Sequence, residues 1–175
     1  RPGLLPLSPP FAAHSGVADS GSLKINHFQL VGSHNSNKQA MAPLIHKALY
    51  LLDAEISESL EYWHVPLAEQ LDLGLRKLEI DLFYDPSSQS FPVGHAQLID
   101  MNTHCGELVL CLQQVREWSQ RNPRHVPIWI SFNLKDSLIT GLPDPHPFTP
   151  VALELLDERL LAVMGSQLIR PADVQ

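Results

Sequence analysis

A chain of 175 residues has room for one ordinary domain, and 44% hydrophobic with 18% charged residues suits a packed core rather than a disordered tail. Twelve Lys and Arg against nineteen Asp and Glu leave a formal charge of −7 with no basic stripe, which argues against nucleic-acid binding. No apolar run approaches the roughly 18 residues of a transmembrane segment, and the two cysteines, Cys105 and Cys111, exclude a disulfide-stapled scaffold and a four-ligand zinc cage.

Residues 1–22 are rich in Pro, Gly and Ser without sustained periodicity and read as a leader or linker. No charged n-region precedes an apolar stretch, so no signal peptide is visible, and the missing Met leaves the compartment open. Ile25–Val31 reads as a first strand, ending in the polar run Gly32-Ser33-His34-Asn35-Ser36. Residues of about 40–60 read as a helix, with Leu44, Ala48, Leu51, Leu52 and Ile56 near helical spacing. A short helix is expected around Pro66–Leu73, halted by Gly74. Leu75–Phe83 is the clearest strand, with Leu78, Ile80 and Leu82 on one face and Glu79 and Asp81 on the other. Phe91–His95 reads as a short third strand. Leu108, Cys111, Leu112, Val115 and Trp118 predict an amphipathic helix ending at Asn122-Pro123. Val126–Leu134 is a fourth strand, and the Pro-rich stretch from Gly141 to Pro150 is a surface loop. Thr149 as N-cap and Pro150 in the first turn open a last helix, with Leu153, Leu156, Leu160 and Val163 on one side.

Alternating strands and helices predict an α/β fold with a parallel sheet covered by helices. Four strands in this length make the N-terminal half of a TIM-like (β/α)8 barrel, about four βα units in an incomplete chain; a small open doubly wound sheet is the alternative. Polar residues at the strand ends favour the barrel, whose reactive groups gather at C-terminal strand ends. These are His34 and Asn35, then Glu79 and Asp81, then His95, then Asn133.

Two carboxylates two residues apart on a strand point the same way, and in an apolar lumen they cannot both stay ionised without a shared cation. Asn35, Glu79, Asp81 and Asn133 would offer oxygens suited to Ca2+, with Mg2+ second. Two histidines on flanking strands suggest acid–base work near neutral pH. The competing structural reading puts Glu79 and Asp81 on an exposed edge strand with Lys77 as partner. His14, His27, His46, His64, His125 and His146 read as surface or structural, and His104, near a helix start, is left unassigned. Cys105 and Cys111 can bridge only if Cys105 precedes the first helical turn, which leaves a disulfide and two buried thiols both open.

Together these segments resemble the catalytic half of a phosphatidylinositol-specific phospholipase C, most like the calcium-dependent bacterial-type group. The matching pieces are Gly32 to Ser36 (GSHNS), Gln70 to Asp81 (QLDLGLRKLEID), Val93-Gly94-His95, and Thr103 to Asp136 with its Cys spacing, WS, NP and H-x-P-I. The resemblance spans residues of about 25–175, and its order along the chain is as specific as its content. It implies that residues 23–175 form the N-terminal half of a phospholipase C-like phosphodiesterase barrel acting on a phospholipid at a membrane surface. It further implies that His34 and His95 are the two catalytic histidines and that Asn35, Glu79 and Asp81 are calcium ligands. The implied reaction is internal attack by the inositol 2-hydroxyl on the phosphodiester, with Glu79 taking the proton, His34 stabilising the phosphorane and His95 protonating the departing glycerol oxygen. A secreted or membrane-peripheral location follows from the same resemblance; the oligomeric state does not.

Two departures stand out. The family places a carboxylate at the end of strand four, where this chain has Asn133, so calcium affinity should fall or the metal preference change. The chain also stops before the second barrel half, so a fragment of a longer protein is expected. A glycerophosphodiester phosphodiesterase is the near rival, disfavoured because it wants His-Arg-Gly where this chain has His34-Asn35-Ser36. A catalytically weak lipid-binding or scaffold module is the rival from another class, raised by Asn133.

Overall fold

The computed structural model describes residues 27–174. The expected leader, and Ile25 and Asn26 of the first expected strand, lie outside the described residues. In chain order the elements are α1 (Pro43–Leu52), α2 (Ala54–Ser59), α3 (Leu67–Asp72), β1 (Lys77–Leu82), α4 (Leu108–Arg121), β2 (Trp129–Leu134) and α5 (Pro150–Met164), followed by two 3-10 turns.

β1 and β2 pair in parallel, with Leu78 opposite Ile130, Glu79 opposite Ser131 and Asp81 opposite Asn133. The crossover between them carries α4, whose Leu108, Cys111, Leu112, Val115 and Trp118 are all buried, as their spacing predicts. α4 packs against α3 on one side and α5 on the other. Leu78, Ile80 and Leu82 fill the core beneath. On α5 the Thr149 side chain accepts from the Ala152 N–H, so the predicted cap is present. The expected apolar face is rotated: Ala152, Leu156 and Val163 are buried, while Leu153 is 41% exposed.

Two of the four expected strands are not strands among the described residues. The segment before His34 makes a single parallel bridge, Gly32 to Lys77, extended by the Ser33 N–H to Lys77 O and the Ser36 N–H to Glu79 O. It lies beside β1 in the expected sense, but the bends at His34 and Asn35 end the ladder there. Phe91–His95 differs more. Only Phe83–Ser90 separates it from β1, and the turn closed between Asp85 and Ser90 folds the chain back, so Val93 bridges Leu82 in antiparallel sense. A parallel neighbour needs a crossover of about a dozen residues or more, which this connection lacks. What stands is a mixed α/β arrangement around one parallel pair.

The helix expected over residues 40–60 is broken. Asp53 adopts an extended conformation and its side chain accepts from the Ile56 N–H, ending α1 and capping α2. α1 has no buried residue: Leu44, Leu51 and Leu52 are 80%, 78% and 85% exposed.

Candidate active site

The polar run after Val31 wraps the C-terminal part of β1, and its composition follows from that contact. A Cβ on Gly32 would sit 2.6 Å from Lys77 Cβ and its carbonyl oxygen, so only glycine permits the approach. The Ser36 hydroxyl accepts from the Glu79 N–H at 2.8 Å, and Asn37 Oδ1 accepts from the Asp81 N–H at 3.1 Å. Gln70 of α3 clamps the loop from below, its amide donating to the Ser36 and Val65 carbonyls while its oxygen accepts from the Ser33 hydroxyl. Asn35 turns the chain with φ +50°, a left-handed conformation that Asn tolerates better than most residues. Asn35, Ser36, Asn37 and Lys38 are consequently buried, while the His34 side chain stays outward.

The His34 imidazole is 72% exposed, with Nε2 at 3.4 Å from Glu79 Oε1. Lys77 Nζ approaches the other Glu79 oxygen at 3.9 Å. That is the edge-strand partner considered from sequence, but Glu79 is only 19% exposed and Asp81 is fully buried, so the pair does not lie on a solvated face.

His95 follows the antiparallel return and is tied at its far nitrogen. The tight turn Gln97–Ile99 brings Asp100 back, where its carbonyl accepts from the His95 N–H and its Oδ2 lies 3.0 Å from His95 Nδ1. Buried Lys38 pairs with the same Asp100 oxygen at 3.2 Å and donates to the Tyr62 carbonyl at 3.0 Å, so a carboxylate and an ammonium compensate each other beneath the imidazole. His95 Nε2 faces the Asn35 amide.

That amide joins the two halves of the site. With its NH2 turned to Asp81 it donates to the carboxylate oxygens at 2.9 and 3.3 Å, while its carbonyl accepts from His95 Nε2 at 3.3 Å and from the Tyr62 hydroxyl. Turned the other way, it sets a carbonyl oxygen against both Asp81 oxygens with no proton between them. Burial pushes the Tyr62 phenol up from its usual range, and the Asp100, Asp81 and Glu79 charges add to this. The phenol is therefore a stable O–H donor.

Asp81 receives two further donors on Oδ1: the Asn133 amide at 2.8 Å and Lys135 Nζ at 3.0 Å. The register places Asn133 opposite Asp81 although its own side is exposed. The six residues singled out from sequence thus fall into two contact groups, His34 with Glu79 and His95 with Asn35, Asp81 and Asn133, whose carboxylates lie two residues apart on β1. An opening of about 260 Å3 beside the second group is lined by His95, Gln97, Asn133, Lys135, Ile139 and Leu142.

Sequence reasoning missed Tyr62, Asp100, Lys38 and Lys135. The first three act through a buried network that no periodicity announces; Lys135 lay two residues past Asn133, one pleat along the same face. His64 and His104, set aside or left unassigned from sequence, are struts: His64 Nε2 meets the His34 carbonyl at 2.8 Å and His104 Nε2 the His64 carbonyl at 2.7 Å. Cys105 precedes α4 and forms a disulfide with Cys111 across a Cα separation of 5.1 Å, which closes the alternative of two thiols. Among the described residues no three His, Cys, Asp or Glu side chains converge on a metal position. A divalent cation here would draw on carboxylate and amide oxygens together, and the Asn35–Asp81 oxygen cluster has that chemistry.

A family model, "Phosphoinositide phospholipase C, Ca2+-dependent", matches residues 23–93 and 87–175. The chain is also similar to solved structures of a calcium-dependent phosphoinositol-specific phospholipase C from the Gram-negative bacterium Pseudomonas sp. One apo crystal form shares 19% identity over 82% of this chain and 43% of that one, with a TM-score of 0.52. A second apo crystal form shares 20% identity over 82% and 44%, with a TM-score of 0.49. The chain spans less than half the length of these proteins. No curated protein matches. No helix among the described residues is long and apolar enough to cross a membrane.

Proposed function

The chain belongs to the Ca2+-dependent phosphoinositide phospholipase C family, and on that premise we propose that it carries the catalytic groups for cleaving phosphatidylinositol-type lipids at the glycerol–phosphate bond. One observation supports this above others: His34 lies against Glu79, while His95, Asn35, Asp81 and Asn133 form a hydrogen-bonded chain two residues further along β1, with His95 and Asn133 lining an opening. Such a pair of imidazoles set against oxygen donors suits an internal displacement at phosphorus with proton transfer at both ends. We take the described residues to be the first part of a (β/α)8 barrel whose remaining strands lie elsewhere in a longer protein, with 1–22 a leader or linker.

Ca2+, when bound, would lower the pKa of the inositol 2-hydroxyl and offset charge building on phosphorus. Its oxygen donors would be Asn35, Glu79, Asp81 and Asn133, with the Asn35 amide turning its carbonyl toward Asp81 in place of the NH2 it presents there without the ion. Glu79, at 3.4 Å from His34, takes the proton from the 2-hydroxyl. His34 is exposed enough to reach an outer phosphate oxygen and stabilises its negative charge. His95, held at Nδ1 by Asp100, keeps Nε2 directed into the site and protonates the departing glycerol oxygen. The Cys105–Cys111 disulfide supports an oxidising compartment, which suits the secreted or membrane-peripheral location that the resemblance implies.

The test is release of water-soluble inositol phosphate from phosphatidylinositol vesicles by the full-length protein, with and without chelator. His34→Ala and His95→Ala should each cost at least the roughly 100-fold typical of losing an acid–base group. Turnover indifferent to chelator removes the calcium assignment. Binding to vesicles without turnover, rescued by Asn133→Glu, favours the scaffold reading that Asn133 raises.

A further inference from the structure

Asp81 is a carboxylate with no exposure, and a buried charge of that kind persists only where donors compensate it. Three do. Asn35 serves Oδ2, and Asn133 and Lys135 share Oδ1 at 2.8 and 3.0 Å. The lysine arrives there by the geometry of the sheet. Residues 133 and 135 point to the same face, and the Lys135 N–H donates to the Leu82 carbonyl at 2.8 Å, continuing the β1–β2 pairing one step past β2. Its side chain is only 19% exposed and its ammonium lies against a carboxylate oxygen that a divalent cation would also need.

We propose that Lys135 is a tethered cation that competes with Ca2+ for Asp81 and, with the neutral Asn133 beside it, holds the site in a low-affinity class. The inference rests on the calcium reading above and adds its regulation: the site loads only where Ca2+ is plentiful. Among Asn35, Glu79, Asp81, Asn133 and Lys135 two carboxylates set against one ammonium leave a single net negative charge, which Lys77 at 3.9 Å from Glu79 offsets further. Flexible extracellular calcium modules with weak ligand charge bind at roughly 0.1–1 mM. To load, Asp81 exchanges Lys135 Nζ for the ion and Asn133 turns its carbonyl inward; the displaced ammonium moves toward the opening lined by Gln97 and Ile139.

A structural ion pair and a competitor make opposite predictions when the charge is removed. The experiment is calorimetric titration of CaCl2 into the full chain at constant ionic strength, alongside thermal unfolding in chelator and in saturating Ca2+. Lys135→Met should bind Ca2+ about tenfold tighter or more, because a positive charge a few ångströms from the ion is gone. Its melting temperature should fall in chelator and rise further on calcium addition than that of the wild type. Lys135→Arg, which keeps the charge, should retain the weak affinity. If Lys135→Met does not fold without calcium, Lys135→Gln keeps an amide for Asp81 and should show the same tightening. Calcium affinity unchanged or weakened in both neutral variants overturns the proposal while leaving the calcium reading intact. No calcium binding by any form, wild type included, overturns both.

Discussion

β1 and the α1–α2 segment flank the same His34 loop and are built to opposite rules. In β1 four of the six residues, Leu78, Ile80, Asp81 and Leu82, are buried, and even Glu79 is largely covered. In α1 none is buried, and Leu44, Leu51 and Leu52 stand in solvent. Both segments carry apolar residues at the period of their secondary structure, so period alone does not separate them. Partners do. β1 has β2 along one edge, the loop Gly32–Lys38 along the other and the core cluster beneath, so burial and hydrogen bonding fix its side chains together. α1 is joined to α2 by the Ser57 hydroxyl on the His46 carbonyl at 3.2 Å and to the loop beyond by the His46–Glu61 approach at 3.8 Å. Reactive groups on β1 are thereby held in place, whereas α1–α2 can vary without disturbing them.

The sharpest way to break this contrast is stability. Ile80→Ala should cost about 2–5 kcal/mol by urea unfolding, since it empties a fully buried site. Leu52→Ser, at 85% exposure, should stay within about 0.5 kcal/mol. Equal losses would mean that α1 is covered in the full-length protein. Next in size is Cys105→Ser with Cys111→Ser, which releases the loop at the start of α4 and should cost about 2 kcal/mol, read by the same unfolding curves. Asp53→Ala removes the α2 cap and should cost about 1 kcal/mol of local stability, visible in amide exchange of Ala54–Ser59 and silent in β1.

The smallest effect concerns the turn after β1. Asp85 is held down to about 2 by the Ser87 and Ser88 hydroxyls and the Ser87 N–H. A carboxyl whose folded pKa lies below its unfolded value near 3.9 stabilises the fold above that value. The contribution fades as pH falls through the window between the two. The Asp85 carboxyl resonance should therefore titrate near pH 2, with the turn intact until then; an ordinary midpoint near 4 would show that the hydroxyls do not hold it.

Local chemistry made much of this legible. The spacing of Leu108 to Trp118 could bury only one helical face, and it does. Thr149-Pro150 announces a helix start that is there. Alternation in Leu78–Leu82 set Glu79 and Asp81 on a common face, and the strand-end polar residues named from sequence lie in two contact groups, His34 with Glu79 and His95 with Asn35, Asp81 and Asn133. The antiparallel return of Phe91–His95 was not read because a short apolar run looks alike in either direction; the brevity of Phe83–Ser90 was the available signal. The break at Asp53 was hidden because Asp is tolerated within a helix until its side chain finds the N–H of Ile56.

By itself, then, the order of residues determined α3, α4 and its buried face, the start of α5 and the central strand, because these depend on neighbours a few positions away. Only the tertiary structure decided which carboxylate is sealed from water, that Asp100 and Lys38 sit beneath His95, and that Lys135 rather than solvent neutralises Asp81. Those outcomes arise between segments tens of residues apart, where desolvation and opposite charge act through space and leave no periodic trace along the chain.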